Sequence, residues 1–387
     1  MKPIYLDNVA STRLDPRVAA CMLSHLAESY ANPGSPHSAG RAARAVVEES
    51  RAAVAALAGC LEDEIVFTSS ATEANNLALK GVCRSRGRGG NRLLVSAVEH
   101  PSVLHPARTL SNEGMVVEEL KVDPLGRIDL EALRRSLREG AVLVSLTHAS
   151  PEVGTLQPVA EAALLASEAG TLFHTDAAAT AGLLPGIFRQ APISLMTLSP
   201  HLFHGPKGIA ALVVRKGTRM HPQEEGGTQE GGLRAGTESV ALIAGFGAAT
   251  RLALQDSPGR AHRLERLASA LRSRLEESLP DWVPTGHPRD RIPGHLSLCL
   301  RHVEGEAVLG LLDEEGILAG SGSACTREVM KESPVLRAMG IDPVLGRGSI
   351  HFSFGAFNVD DDVEEVARVL PRVVERLRRI SPLAPGS

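Results

Sequence analysis

The chain has 387 residues, a hydrophobic fraction of 43%, and 41 basic against 45 acidic side chains, for a net charge of -4. This length and apolar content suit a globular protein of two or three lobes that buries a sizeable core. A sequence pI near 6.4, with dispersed arginines, excludes the dense basic face that nucleic-acid binding requires.

The N-terminus, Met1-Lys2-Pro3-Ile4-Tyr5-Leu6-Asp7, lacks an apolar stretch of signal-peptide length. No segment reaches the ~18–20 consecutive apolar residues of a membrane span. The expectation is a cytoplasmic protein that uses no membrane. The five cysteines (Cys21, Cys60, Cys83, Cys299, Cys325) are odd in number and contain no Cys-x-x-Cys pair. This argues for reduced thiols and against a disulfide framework or a zinc finger. Four of them lie among apolar or small neighbours and read as buried small hydrophobes.

In chain order, apolar runs at Ile65–Phe67, Leu93–Ser96, Val142–Leu146, Leu172–His174, Leu195–Leu198 and Ile209–Val214 predict buried strands. Helical patterns at Leu130–Leu137 and Val159–Ala169 fall between them. The alternation implies an α/β fold whose large domain is a mostly parallel sheet covered by helices on both faces.

Several junctions in this stretch carry chemistry-bearing residues. After the first strand comes Thr68-Ser69-Ser70-Ala71-Thr72-Glu73-Ala74-Asn75-Asn76. Ser70 and Glu73 have capping-box spacing, and the helix N-terminus they predict suits a phosphate, with the Thr72 hydroxyl as a further donor. A plain helix cap is the simpler alternative. Arg84-Ser85-Arg86-Gly87-Arg88 reads as a solvated loop. Val98-Glu99-His100-Pro101-Ser102 and Phe173-His174-Thr175-Asp176-Ala177 each follow a strand, where the ligand crevice of an open α/β sheet lies. There the flat ring of His100 and the carboxylate of Asp176 suit a pyridine ring with a protonated nitrogen. Singly, each also reads as an ordinary satisfied polar group. Ser199-Pro200-His201-Leu202-Phe203-His204-Gly205-Pro206-Lys207-Gly208 is either a polar loop or part of that crevice. The glycine-rich run Gly226–Ser239 exposes backbone to a phosphate or another subunit, or forms a flexible hairpin.

Near Gln255–Arg260 a Ser-Pro-Gly turn predicts a break, followed by a helix over Arg260–Leu279. An α+β rhythm follows: a strand at His295–Leu300, a helix at Glu304–Leu312, a strand at Ser349–Ser353 and a final helix after Asp360-Asp361-Asp362. Val363, Val366, Leu370, Val373 and Leu377 share one face of that helix, and Pro371 is expected to kink it. The domains expected are 15–258, large, and 1–14 with 259–387, smaller and α+β. Within the second, Ala319-Gly320-Ser321-Gly322-Ser323-Ala324-Cys325-Thr326 sets a thiol among small residues. Access and thiolate character govern sulfur reactivity; an incidental surface thiol is the alternative.

Taken together, these segments resemble the NifS/IscS branch of the class V pyridoxal phosphate (PLP)-dependent aminotransferase superfamily, the cysteine desulfurases. The resemblance runs from Tyr5-Leu6-Asp7-Asn8 through Asn32-Pro33-Gly34-Ser35-Pro36-His37-Ser38-Ala39-Gly40 to Ser349-Ile350-His351-Phe352-Ser353. It implies the type I fold of PLP-dependent transferases and a homodimer. It further implies a phosphate cup of Thr72, Ser199 and His201 with Thr237 from the partner subunit, a stacking His100, a pyridinium partner Asp176 and a persulfide-forming Cys325. The partners it implies are an IscU-type scaffold or another sulfur acceptor.

The departures from the pattern are equally specific. Where the family carries its Schiff-base lysine, this chain has Leu202, and a hydrocarbon neither condenses with an aldehyde nor shuttles a proton. Its six lysines are Lys2, Lys80, Lys121, Lys207, Lys216 and Lys331; Lys207 matches a different family position. Asn-Asn-Glu becomes Ser150-Pro151-Glu152, and Asp-Ala-x-Gln becomes Asp176-Ala177-Ala178-Ala179, removing amides that would bond the cofactor's phenolic oxygen. The arginine that would grip a substrate carboxylate corresponds to His351. The expectation is a degenerate desulfurase serving sulfur handling or scaffolding in iron–sulfur cluster assembly. Cys325 would be its persulfide carrier, or a thiolate sharing an iron–sulfur cluster, with no other metal. PLP would be held non-covalently at best. The alternatives are a weakly active PLP enzyme and a non-catalytic docking dimer.

Overall fold

The computed structural model describes residues 3–85, 90–322 and 332–381. The chain begins with β1 (Ile4–Leu6), α1 (Pro16–Ala27) and α2 (Ser38–Ala58). There follow β2 (Ile65–Thr68), α3 (Ala71–Ser85), β3 (Arg92–Ser96), α4 (Pro101–Asn112), β4 (Val116–Leu120) and α5 (Leu130–Arg138). Next come β5 (Leu143–Ser145), α6 (Val159–Glu168), β6 (Leu172–Asp176), α7 (Ile187–Gln190), β7 (Leu195–Leu198) and β8 (Ala210–Val214). The remainder is α8 (Val240–Ser278), β9 (Trp282–Thr285), β10 (His295–Leu300), α9 (Gly305–Glu314), β11 (Ile317–Ala319), α10 (Pro334–Ala338), α11 (Pro343–Gly346), β12 (Ser349–Ser353) and α12 (Asp360–Arg378).

Seven strands form the main sheet in the order β2-β8-β7-β6-β5-β3-β4. β7, β6, β5, β3 and β4 run parallel, and β8 is antiparallel to both its neighbours. Alternate residues feed two cores. Leu94, Val144, Met196 and Phe67 join one core with Phe173 and Phe246. Leu93, Leu143, Leu195 and Val66 join the other with Leu79 and Val82 of α3. Burial on both faces is why these strands read as continuous apolar runs. The edge strand β4, Val-Val-Glu-Glu-Leu, is largely open to solvent and shows no such run.

A third core joins Leu267, Leu271 and Leu275 of α8 to Leu298, Ile350, Phe352, Val366 and Leu370. It covers an antiparallel sheet of order β12-β10-β9, beside the parallel pair β1-β11.

The expected break at residues 255–260 does not occur: α8 is continuous over 39 residues, roughly 58 Å of helix. Val240, Ile243, Phe246 and Ala253 pack in the first core, whereas Leu264 and the leucines after it pack in the third. Anchoring at both ends outweighs the local preference of a Pro-Gly pair to stop a helix. Pro371 lies inside α12, which continues beyond it to Arg378.

Candidate functional site

The crevice at the carboxyl ends of β2, β3, β5, β6 and β7 gathers most of the residues singled out in the sequence. At the end of β2, Ser70 Oγ accepts the Glu73 N–H at 3.1 Å and starts α3. The capping box is only half formed. Glu73 turns its carboxylate to the Ser69 N–H at 2.8 Å and to Arg234 at 3.0 Å, away from Ser70. Thr72 sits exposed in the first turn.

One turn further, Asn75 is wholly buried. Its Nδ2 donates to Asp176 Oδ2 and to Ser102 Oγ, both at 2.8 Å. Asp176, the last residue of β6, accepts the Ala178 N–H on Oδ1 at 3.0 Å. His100 caps α4, with Nδ1 accepting the Ser102 N–H at 3.1 Å and lying 2.7 Å from Ser102 Oγ. Because Nδ1 is an acceptor, the neutral ring carries its proton on Nε2. Burial pushes the His100 pKa down, against the pull of Asp176. The result is a neutral flat ring tied through Ser102 and Asn75 to a carboxylate. A neutral ring can lie over a protonated heteroaromatic without charge repulsion.

Beyond β7, Ser199 is 1% exposed, and neither its Oγ nor His201 Nδ1 has a partner among the described residues. Buried hydroxyl and imidazole atoms without partners are costly, so both suit a ligand that accepts hydrogen bonds. Burial, followed by the charge of Lys207, holds His201 below its ordinary pKa. Its carbonyl accepts the Thr12 N–H and hydroxyl, both at 2.8 Å, fixing the turn to the N-terminal segment. Leu202 lines a cavity with Ala179, Leu183, His204, His295 and Phe354, and no lysine is among the described residues that line it. Thr237 is exposed just before α8, while its neighbour Glu238 is buried against Arg44 at 2.8 Å.

On the side of the smaller lobe, His351 Nε2 lies 3.2 Å from Asp7 Oδ1. The ring stacks on His295 at 5.4 Å, and His295 Nε2 donates to the Pro151 carbonyl at 2.9 Å. Burial holds His295 well below its ordinary pKa and pushes the Glu152 carboxyl up. A Cβ on Gly320 would meet His351 Nε2 at about 2.3 Å, and one on Gly322 would meet the Glu152 carboxyl carbon at about 2.0 Å, so a larger residue at either place would have to displace that side chain. Cys325 follows these glycines and lies outside the described residues. Of the other thiols, Cys83 and Cys299 are buried as expected, whereas Cys21 and Cys60 are only half-buried. Burial pushes Cys60 and Cys299 up to about 12, which leaves them inert.

Sequence reasoning assigned no role to Asn75, Ser102 or Glu99. Glu99 is buried, with Oε1 accepting the Thr147 N–H at 2.6 Å and Ser96 Oγ at 2.8 Å. It therefore ties the end of β3 to the segment just after β5. Desolvation raises it to about 8, and Oε2 has no partner. Asn75 had one available signal: an amide flanked by Ala74 and Leu77 on the apolar face of a helix. No group of three or more His, Cys, Asp or Glu side chains among the described residues is placed to hold a metal. No described helix is long and apolar enough to cross a membrane.

The chain matches the aminotransferase class-V family over residues 4–366. It belongs to that family. Cysteine desulfurase IscS of Dictyoglomus turgidum is 39% identical over 381 residues, covering 98% of this chain and 97% of the relative. Cysteine desulfurase IscS 1 of Archaeoglobus fulgidus is 39% identical over 382 residues, covering 98% and 99%. A solved NifS-like protein superposes with a TM-score of 0.91 at 32% identity, over 97% of this chain and 100% of the other. The apo cysteine desulfurase from Thermococcus onnurineus NA1 gives 0.87 at 26%, over 97% and 95%. The architecture is thus the type I fold of NifS-like proteins.

The class-V family is PLP-dependent, and this member fits that group only in part. Unpartnered Ser199 Oγ and His201 Nδ1 suit its phosphate, and the Asp176–Asn75–Ser102–His100 chain suits its ring. Leu202 does not fit covalent attachment, because no amine stands there.

Proposed function

We propose that this class-V family member handles sulfur delivered to it and does not extract sulfur from cysteine by the ordinary route. Leu202 carries the reading: hydrocarbon occupies the position where its relatives' resemblance calls for an amine, while the Ala319–Thr326 thiol loop is intact in sequence. His351 already engaged with Asp7, and Pro151 and Ala179 in place of amides, add to the support. The two lobes are taken as 15–258, and 1–14 with 259–387. The change of core along α8 between Ala253 and Leu264 supports this division.

In this reading the protein is a cytoplasmic homodimer that docks on an IscU-type scaffold or another sulfur acceptor in iron–sulfur cluster assembly. The Cys325 thiolate attacks the outer sulfur of a persulfide donor, R–S–SH. The donor S–S bond breaks, R–S⁻ leaves with the bonding pair, and Cys325–S–SH forms without net oxidation. The same thiolate alternatively serves as a ligand to iron at the scaffold. The test is intact-mass analysis after incubation with a low-molecular-weight persulfide. A single-sulfur adduct that disappears in Cys325→Ser is expected. No adduct, or one that survives the substitution, would refute the reading.

A second reading, favoured by the unpartnered Ser199 Oγ and His201 Nδ1, is a weakly active enzyme holding PLP without a covalent bond. When bound, PLP supplies an electron sink. Asp176 would hold the ring nitrogen's proton, His100 would cover the ring, and Leu202 could move no proton. Sulfide release from cysteine by the PLP-loaded chain distinguishes the two readings.

A further inference from the structure

The turn after β7 and the turn after β12 belong to different cores: Phe203 packs in the first, Phe354 in the third. The buried ring of His204 joins them. Its Nδ1 donates to the Arg13 carbonyl at 2.9 Å, and its Nε2 accepts the Ala356 N–H at 3.2 Å. A carbonyl only accepts and an amide N–H only donates, so the neutral tautomer with its proton on Nδ1 alone satisfies both partners. The Phe357 ring stands at 83° to the imidazole, with centroids 5.2 Å apart. Both sides of the contact are held in place. Arg263 grips the Ala356 and Asn358 carbonyls at 2.9 and 2.7 Å. Thr12 Oγ accepts the His204 N–H at 2.7 Å, and the His204 carbonyl accepts the Asp15 N–H at 3.0 Å.

A proton added at Nε2 would set donor against donor at Ala356 and leave a buried cation short of an acceptor. The charged groups around the ring do not offset this. Asp15 engages Arg17 at 2.8 Å, Arg260 pairs with Asp256 at 3.0 Å, and the Arg13 guanidinium lies over the Phe357 ring. Burial holds His204 below its ordinary pKa; the charge of Arg260 adds to that, while the Arg13 carbonyl and Asp15 oppose it.

We propose that His204 is a proton-operated latch between the two cores, closed while its ring is neutral and released when Nε2 takes a proton. Release frees the 355–358 turn from the turn that carries Ser199, His201 and Leu202. The latch involves neither Cys325 nor a cofactor, so it stands or falls apart from the function proposed above. In the open form the ring titrates at the ordinary histidine value, and in the closed form it titrates lower. The closed form is therefore fully favoured above the ordinary value and loses ground as pH falls below it, by at most about tenfold per pH unit for one proton.

Hydrogen–deuterium exchange of the full-length chain between about pH 4 and 7.5, corrected for the intrinsic pH dependence of amide exchange, tests this. Protection of a peptide spanning residues 354–358 is expected to fall about tenfold or more toward the acid end, and by more than that of a β7 peptide. His204→Gln, which offers Ala356 an acceptor that takes no proton, should abolish the difference. His204→Phe should leave the 354–358 peptide weakly protected at every pH. The latch is overturned if wild-type protection there stays flat, if it falls no further than that of β7, or if His204→Gln follows the wild-type curve.

Discussion

On one side of the crevice Asp176, Asn75, Ser102 and His100 form an unbroken hydrogen-bonded chain. Elsewhere, Leu202, Ala179 and Leu183 line a cavity with His204, His295 and Phe354, and none of the four members of that chain is part of its lining. In the first region each member fixes the next in a low-dielectric interior. In the second, the Leu202 side chain can neither condense with an aldehyde nor carry a proton. A preorganised polar network and a side chain capable of covalent chemistry are separable features, and here the first is present where the second is not.

The contrast is tested most severely by turnover. Supplied with PLP and cysteine, the chain is expected to release sulfide at least about 10²-fold more slowly than a lysine-bearing relative, since a positioned base alone contributes ~10²–10⁴-fold. Equal rates in a sulfide assay would erase the distinction between the two regions.

A smaller effect probes buried Glu99, next to His100 in the chain. Glu99, raised to about 8 by burial, keeps its proton in the folded chain after the unfolded chain has lost it near 4.5. Its contribution to stability is therefore fully present below that lower value and lost as pH rises to about 8. His148 and His174, held near 4 by burial, act in the opposite sense: their neutral folded forms lose stability as pH falls below the ordinary histidine value. The wild-type curve mixes both trends, and comparison with Glu99→Gln isolates one. Between pH 5 and 8 the wild type should lose about 1 kcal/mol per pH unit relative to the glutamine variant, the order of magnitude set by one proton. Urea midpoints across that range measure it. A flat difference would mean that Glu99 is ionised in the fold.

Least in size is the loss from Asn75→Ala, which strips a donor from both Asp176 and Ser102. It is expected to cost about 1–3 kcal/mol in denaturant unfolding. Loss below about 0.5 kcal/mol would show that the chain linking carboxylate to ring is not an energetic unit.

The sheet was legible because its strands are buried on both faces and announce themselves as apolar runs. β4 was not, since its exposed edge permits Glu118 and Glu119. The continuity of α8 was hidden because Ser257-Pro258-Gly259 is locally a stop signal, and the two cores that override it are distant in sequence. The strand-end positions of His100, Asp176 and Ser199 followed from strand boundaries. Asn75 and Glu99 did not, because their partners Asp176 and Thr147 lie 101 and 48 residues away, and no local spacing encodes such pairs. The half-formed capping box has the same origin: Arg234, remote in sequence, draws Glu73 aside.

Everything rests on the pocket's lack of a condensing amine. Incubating the unaltered protein with PLP, reducing with borohydride and mapping peptides by mass spectrometry tests this most directly. The expected result is no pyridoxyl adduct on any residue of the crevice, with ligand lost on dialysis. A stoichiometric adduct on a crevice side chain would contradict the account.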